Sequence, residues 1–189
     1  AHVPLATLPG MRERTITVSS AAKTFSFTGW KIGWACAPPL LLDAVRTAKQ
    51  FLTYVNGAPF QYAIAEALRL GDEYYLDLAD DLRAKRDRLC AGLEKVGFTV
   101  FRPAGSYFVT TDIRSLDAGT RTGTNDGDGA AFCRSLPERC GVVAVPNVVF
   151  YDDDAAGRSL VRFAFCKRLE VLDEAVERLQ ALRAPVGGS

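Results

Sequence analysis

Histidine is nearly absent from this sequence: of 189 residues only His2 is one. A Ser–His or Cys–His catalytic pair would have to use that residue at the chain end, so both mechanisms are set aside. The five cysteines, Cys36, Cys90, Cys133, Cys140 and Cys166, are odd in number, and no two stand in CxxC spacing. Without histidines to join them they form no credible zinc set, and reduced thiols in a cytoplasmic protein are the expected state. An excess of charge is lacking too. The 23 basic and 22 acidic residues leave a formal charge of +1, which argues against a nucleic-acid partner or an electrostatic hold on a membrane surface. No apolar run approaches the ~20 residues of a transmembrane helix, and Pro38-Pro39 interrupts the run at 37–42. The first residues show no basic region followed by an apolar core, so no signal peptide is expected.

What is present is the balance of a globular protein. The sequence is 48% hydrophobic and 24% charged, enough for one average domain or a small domain with part of another. Alternation predicts strands over 14–19 and 31–37. Apolar residues at helical spacing predict helices over 41–54 and 59–71. Tyr75, Leu78, Leu82, Leu89, Leu93 and Val96 form one stripe of a long helix over 72–96, stopped by Gly97. Beyond it the spacing predicts a hairpin from 98–101 and 106–113. A polar loop is expected over 117–128, then a helix over 129–139 that Pro137 should end or distort. Strands over 142–145 and 160–165 follow, then a helix over 173–183 whose inner face is Leu172, Ala175, Val176, Leu179 and Leu182. Residues 185–189 are expected to be a disordered tail.

The stretch from Ser19 to Trp34 carries the chemistry. Lys23 sits among small, apolar and hydroxyl residues between two predicted strands. Desolvation there would favour the neutral amine and make a nucleophile of it. Ser20 lies three residues before it, and Lys31 eight after it within Gly29-Trp30-Lys31-Ile32-Gly33. A nucleophilic amine, a hydroxyl and a second cation together suit a ligand bearing both an aldehyde and a phosphate. The plainer reading is a strand-end lysine. Trp30 and Trp34 read as core residues beside the motif, and Tyr107 and Phe108 as core of the second half. Arg162 lies within Leu160-Val161-Arg162-Phe163-Ala164-Phe165, sharing a strand face with Leu160 and Ala164. A guanidinium there calls for a carboxylate, from a ligand or from the protein itself, unless the face is simply exposed. Asp152-Asp153-Asp154 beside Gly157 reads as a solvated turn rather than a metal site.

Ser20-Ala21-Ala22-Lys23 followed by Thr28-Gly29-Trp30-Lys31-Ile32-Gly33 resembles the cofactor-lysine signature of the class I/II aminotransferases of fold type I. The likeness extends through Leu8-Pro9-Gly10-Met11, Gly105-Ser106-Tyr107-Phe108, Val145-Pro146 and Val161 to Phe165. It is similar to the kynurenine/methionine branch and to the N-succinyldiaminopimelate type, the latter along Phe163 to Arg168 as well. The resemblance implies an α/β fold: the C-terminal part of a PLP fold type I large domain plus an α+β small domain. Residues 1–71 would be the large-domain part, 72–97 a connecting helix and 98–184 the small domain.

The same resemblance implies pyridoxal 5'-phosphate as cofactor. Lys23 would attach to it covalently and then move the substrate proton, while Ser20 and Lys31 would bind its phosphate. Arg162 would clamp the substrate α-carboxylate, and Tyr54 would reach into the neighbouring subunit's site of a homodimer. Substrates would be a small-molecule amino acid and a 2-oxo acid, N-succinyldiaminopimelate and the glutamate/2-oxoglutarate pair among them. A carbon–sulfur β-lyase would use the same lysine and phosphate contacts. The family's ring-stacking aromatic, its phosphate turn and the aspartate at the ring nitrogen have no counterpart here. The 189-residue chain is therefore expected to be a fragment with little activity of its own. Asn147, after Pro146, stands where the family more often carries a small residue.

Overall fold

The computed structural model describes residues 2–117 and 127–183. Most of the polar loop expected over 117–128, and the tail at 185–189, lie outside the described residues. The chain divides into two compact units, Ala1–Leu76 and Asp77–Ser189.

The first unit is built on an antiparallel hairpin of β1 (Thr17–Ser20) and β2 (Gly33–Cys36), with Ser20 opposite Gly33. A Cβ on Gly33 would come within 2.6 Å of the Ser19 carbonyl oxygen. That glycine therefore serves the close strand pairing, not the approach of a ligand. The hairpin encloses α1 (Ala21–Thr24), and α2 (Pro39–Leu52) and α3 (Ala58–Ala67) follow. Ala21, Phe25, Ile32 and Ile64 are buried together, with Trp30 and Trp34 packed against them. A stack of rings runs Phe25, Phe27, Trp30, Phe60, its last two steps 4.5 and 4.6 Å between centroids. By contrast α2 buries no residue: Leu40, Phe51 and Leu52 are each more than four-fifths exposed.

Helix α4 (Asp72–Val96) begins in the first unit and continues in the second. It ends at Gly97, whose φ of +114° few other residues tolerate. The second unit holds a sheet in the order β3 (Thr99–Phe101), β4 (Phe108–Asp112), β6 (Leu160–Ala164), β5 (Val145–Pro146), antiparallel throughout. The expected strand at 142–145 is thus shorter and shifted, because only Val145 and Pro146 pair with β6.

Two helices join α4 in this unit's core: α6 (Gly129–Cys140), preceded by the short α5 (Arg114–Asp117), and α8 (Leu169–Leu179), preceded by α7 (Asp154–Gly157). Pro137 does not end α6, which runs to Cys140. It falls in the last turn, where one lost N–H is tolerated, and left-handed Gly141 closes the helix by donating to the Pro137 carbonyl at 2.9 Å. Asp128 caps the other end, accepting from Ala130 and Ala131 at 2.9 Å each. Leu93, Phe132, Leu136, Leu179, Val109 and Val161 are wholly buried between sheet and helices. Gly92 lets α8 come close: a Cβ there would lie 2.4 Å from Val176 Cγ2. No described helix is long and apolar enough to cross a membrane.

All five thiols are free, but their settings differ. Cys36 and Cys166 are exposed, whereas Cys90 and Cys133 are buried. Burial pushes the Cys133 thiol up to about 11 and raises Cys90 as well. The thiolate is the reactive form. A disulfide reagent at pH 8 should therefore consume Cys36 and Cys166 first, and Cys90 and Cys133 roughly a hundredfold more slowly until urea is added. Five equivalent thiols in the native protein would contradict this packing.

Candidate active site

Lys23 is presented by a tightly tied turn. Where β1 ends, the Ser20 hydroxyl oxygen accepts from Ala22 N–H at 3.1 Å and caps α1. The Ala21 amide donates to the Ile32 carbonyl at 3.0 Å, fixing the start of the helix to the returning chain. Thr28 Oγ1 donates to the Ala22 carbonyl at 3.2 Å, and Tyr74 OH to that of Thr24 at 2.8 Å. Ala21, Ala22 and Phe25 face the core, so Lys23 points outward and is exposed. The desolvated setting expected for this lysine is therefore not formed by the chain's own described residues. A one-turn helix that buries its alanines leaves its lysine on the outer side.

The return segment is strained. Ser26 and Lys31 have φ of +60° and +56°, a left-handed backbone unusual outside glycine. Lys31 is exposed, and Asn56 Nδ2 donates to its carbonyl at 3.1 Å. Among the described residues neither Lys23 nor Lys31 forms an ion pair. Ser20 uses its oxygen as an acceptor and keeps its hydroxyl hydrogen to give. Tyr54 follows α2, exposed and also left-handed at φ +59°, with its carbonyl accepting from Lys49 Nζ at 3.1 Å.

In the second unit, β6 alternates as its sequence does. Val161 and Phe163 are buried, while Leu160, Arg162 and Ala164 lie half-buried on the other face. The Arg162 guanidinium carbon sits 4.2 Å from the centroid of the Phe108 ring and 4.1 Å from that of Phe150. Aromatic faces attract the cation and cover part of the guanidinium, while its in-plane N–H donors make no hydrogen bond or ion pair to a described protein group. Its Nε is buried without a partner. Phe108 thus stacks on Arg162, where a core role was expected.

Asn147, buried to 7% exposure, donates from Nδ2 to Thr110 Oγ1 at 3.2 Å. Phe150, Thr110 and the placement of Asn147 were not drawn to Arg162 from the sequence. Residues that are far apart along the chain meet only through the order of the strands. Asp153 caps α7 by accepting from Ala155 N–H at 2.9 Å, which gives the acidic triplet a structural use. Nearby on β4, burial would raise the Asp112 carboxyl. Hydrogen bonds from the Arg114 side chain and backbone and from Ser159 outweigh that and hold it below its usual range.

The family model for aminotransferase class I and II matches residues 3–179. The chain belongs to that family, whose chemistry runs on pyridoxal phosphate, and its α/β fold is that of a portion of a fold type I aminotransferase. It is 50% identical to the probable N-succinyldiaminopimelate aminotransferase DapC of Mycobacterium tuberculosis, over 96% of this chain and 46% of that protein. It is 38% identical to mouse (Mus musculus) kynurenine–oxoglutarate transaminase 3, over 95% of this chain and 42% of that one. Among solved structures, N-succinyldiaminopimelate aminotransferase from Mycobacterium tuberculosis superposes with a TM-score of 0.85 at 52% identity, over 96% of this chain and 45% of that one. The methionine aminotransferase YbdL from Escherichia coli superposes at 0.82 and 35% identity, over 95% and 44%. The chain therefore spans less than half the length of the relatives it matches.

Proposed function

We propose that this chain carries the cofactor-attaching lysine and the substrate-carboxylate arginine of a pyridoxal-phosphate-dependent aminotransferase. One observation supports the reading above others. A single hairpin turn presents Lys23, Lys31 and the Ser20 hydroxyl, and among the described residues neither lysine has a carboxylate partner. That donor set fits an aldehyde and a phosphate on one molecule. Lys23 Nζ would attach to the aldehyde. Lys31 Nζ and Ser20 Oγ–H would hold the phosphate. When bound, pyridoxal phosphate supplies an electron sink for the bond broken at the substrate Cα. Lys23 Nζ, released by the incoming substrate amine, would take the Cα proton and pass it on to the cofactor. Arg162, with rings on its faces and its edge donors unused, would hold the substrate α-carboxylate.

Similarity to the Mycobacterium tuberculosis relative supports N-succinyldiaminopimelate as the amino acid, with glutamate and 2-oxoglutarate as the partner pair. We place residues 1–71 in the large domain, 72–97 in a connecting helix and 98–184 in the small domain. In a homodimer Tyr54 would serve the neighbouring subunit's site.

The family's aspartate at the ring nitrogen has no counterpart in this sequence, so the 189-residue chain should bind cofactor but show little turnover. Glutamate-dependent release of 2-oxoglutarate tests transamination, and pyruvate release from cystathionine tests the β-lyase alternative. Brisk turnover by this chain that Lys23→Ala abolishes would overturn the expectation of low activity. Turnover of cystathionine alone would favour the lyase.

A further inference from the structure

Among the described residues of the second unit, two buried side-chain polar atoms lack partners, Arg162 Nε and Asn147 Oδ1. The strand order relates them. β6 lies between β4 and β5, and Arg162 is in register with Thr110 on one side and Val145 on the other. Asn147 follows β5 directly, yet its amide bonds to the Thr110 hydroxyl on β4, two strands away. Adjacent strands stand ~4.8 Å apart, so this side chain reaches across β6 on the face from which Arg162 projects. Thr110 and Arg162 are direct cross-strand neighbours, whose side chains meet. The buried amide and the guanidinium thus share one small region, each with a polar atom unused.

A half-turn of the amide exchanges its two ends. Thr110 Oγ1–H then donates to Asn147 Oδ1, and Nδ2 is left facing the Arg162 row. A hydroxyl can serve either way. In that orientation the region offers only donors, Nε–H from Arg162 and Nδ2–H from Asn147. A carboxylate between them, acceptor at both oxygens, would pair the two buried groups that are otherwise unsatisfied.

We propose that Asn147 is a second carboxylate-binding residue beside Arg162, turned by the ligand and held by Thr110. The ligand class is the carboxylate of an amino acid or 2-oxo acid, and the proposal rests on the reading of Arg162 given above. The buried amide then adds a directed donor beside the guanidinium. Polar groups buried without partners are uncommon in native proteins and call for a specific cause.

The test is a titration of the 189-residue chain, labelled with nitrogen-15, with 2-oxoglutarate at constant ionic strength. The chain has three asparagines, so the Asn147 side-chain amide is assigned by its loss in Asn147→Ala, and Arg162 Nε–H by its loss in Arg162→Lys. The expected result is that both signals move with one midpoint. Asn147→Ala should weaken binding roughly tenfold, as for loss of one hydrogen bond to a charged group. Thr110→Val, which keeps the shape and removes the hydroxyl, should weaken it a few-fold. If Arg162 Nε–H moves while the Asn147 amide stays and Asn147→Ala binds equally well, the proposal fails and the role of Arg162 stands. If neither signal moves, both fail. The wild-type shifts alone decide between these outcomes should a variant fold poorly.

Discussion

Incubated with pyridoxal phosphate and then borohydride, the wild-type chain should carry one reduced cofactor on Lys23, and Lys23→Ala should carry none. The sequence has six lysines, so the experiment has internal competitors. What sets Lys23 apart is its neighbourhood, not its amine. The capped α1, with Ala21 tied to Ile32 and Thr24 to Tyr74, holds its backbone rigidly. Lys31 and the Ser20 hydroxyl would hold the phosphate and raise the local concentration of the aldehyde. Lys23→Arg should fail as completely as Lys23→Ala, because a guanidinium keeps the charge but is never a free amine. Lys31→Ala should keep the attachment but need roughly tenfold more cofactor, as one charge-assisted contact is lost. Peptide mapping after intact-mass measurement reads all of these. Equal labelling of all six lysines, unchanged in Lys23→Ala, would remove the basis for the proposed chemistry.

Phe132→Ala should be the most damaging single change to the second unit, costing about 3–5 kcal/mol as large-to-small core replacements do. Phe132 is 0% exposed and lies on the inner face of α6. Its ring meets that of Phe98 edge to face, 6.1 Å between centroids, and Phe98 in turn meets Phe163 of β6 at 5.6 Å. Truncation opens a cavity beneath the strand that carries Arg162, between elements already held by their own hydrogen bonds, so collapse around the void is limited. Domains of this size have ~5–15 kcal/mol in hand, which makes the loss a large share of the whole. Urea unfolding followed by hydrogen exchange at α6 and β6 measures it. Phe132→Leu, nearly filling the same volume, should cost about 1 kcal/mol. A Phe132→Ala protein with an unchanged midpoint would mean that this cluster does not hold the unit together.

Some features were legible because they are local. The long helix was read over 72–96 and is found as Asp72–Val96, since one apolar stripe and one glycine fix both its face and its end. The alternation of β6 is equally local, and it set Arg162 on the face opposite Val161 and Phe163. The resemblance carried by Ser20 to Gly33 was legible for a different reason: it rests on residue types at fixed spacing, and the chain does belong to the family it resembles. Periodicity shows which residues share a face but not what covers that face. Leu41, Ala44, Val45, Ala48 and Leu52 form such a stripe in α2, yet no residue of that helix is buried.

The sequence by itself determined the family, the helical and strand periods and the identity of the cationic groups. All of these depend on residues close together in the chain. Only the tertiary structure decided that Lys23 faces outward, that Phe108 and Phe150 flank Arg162, and that Asn147 reaches over β6 to Thr110. Those relations follow from which strands pair and in what order. Pairing is chosen by the burial of the whole sheet rather than by any one segment.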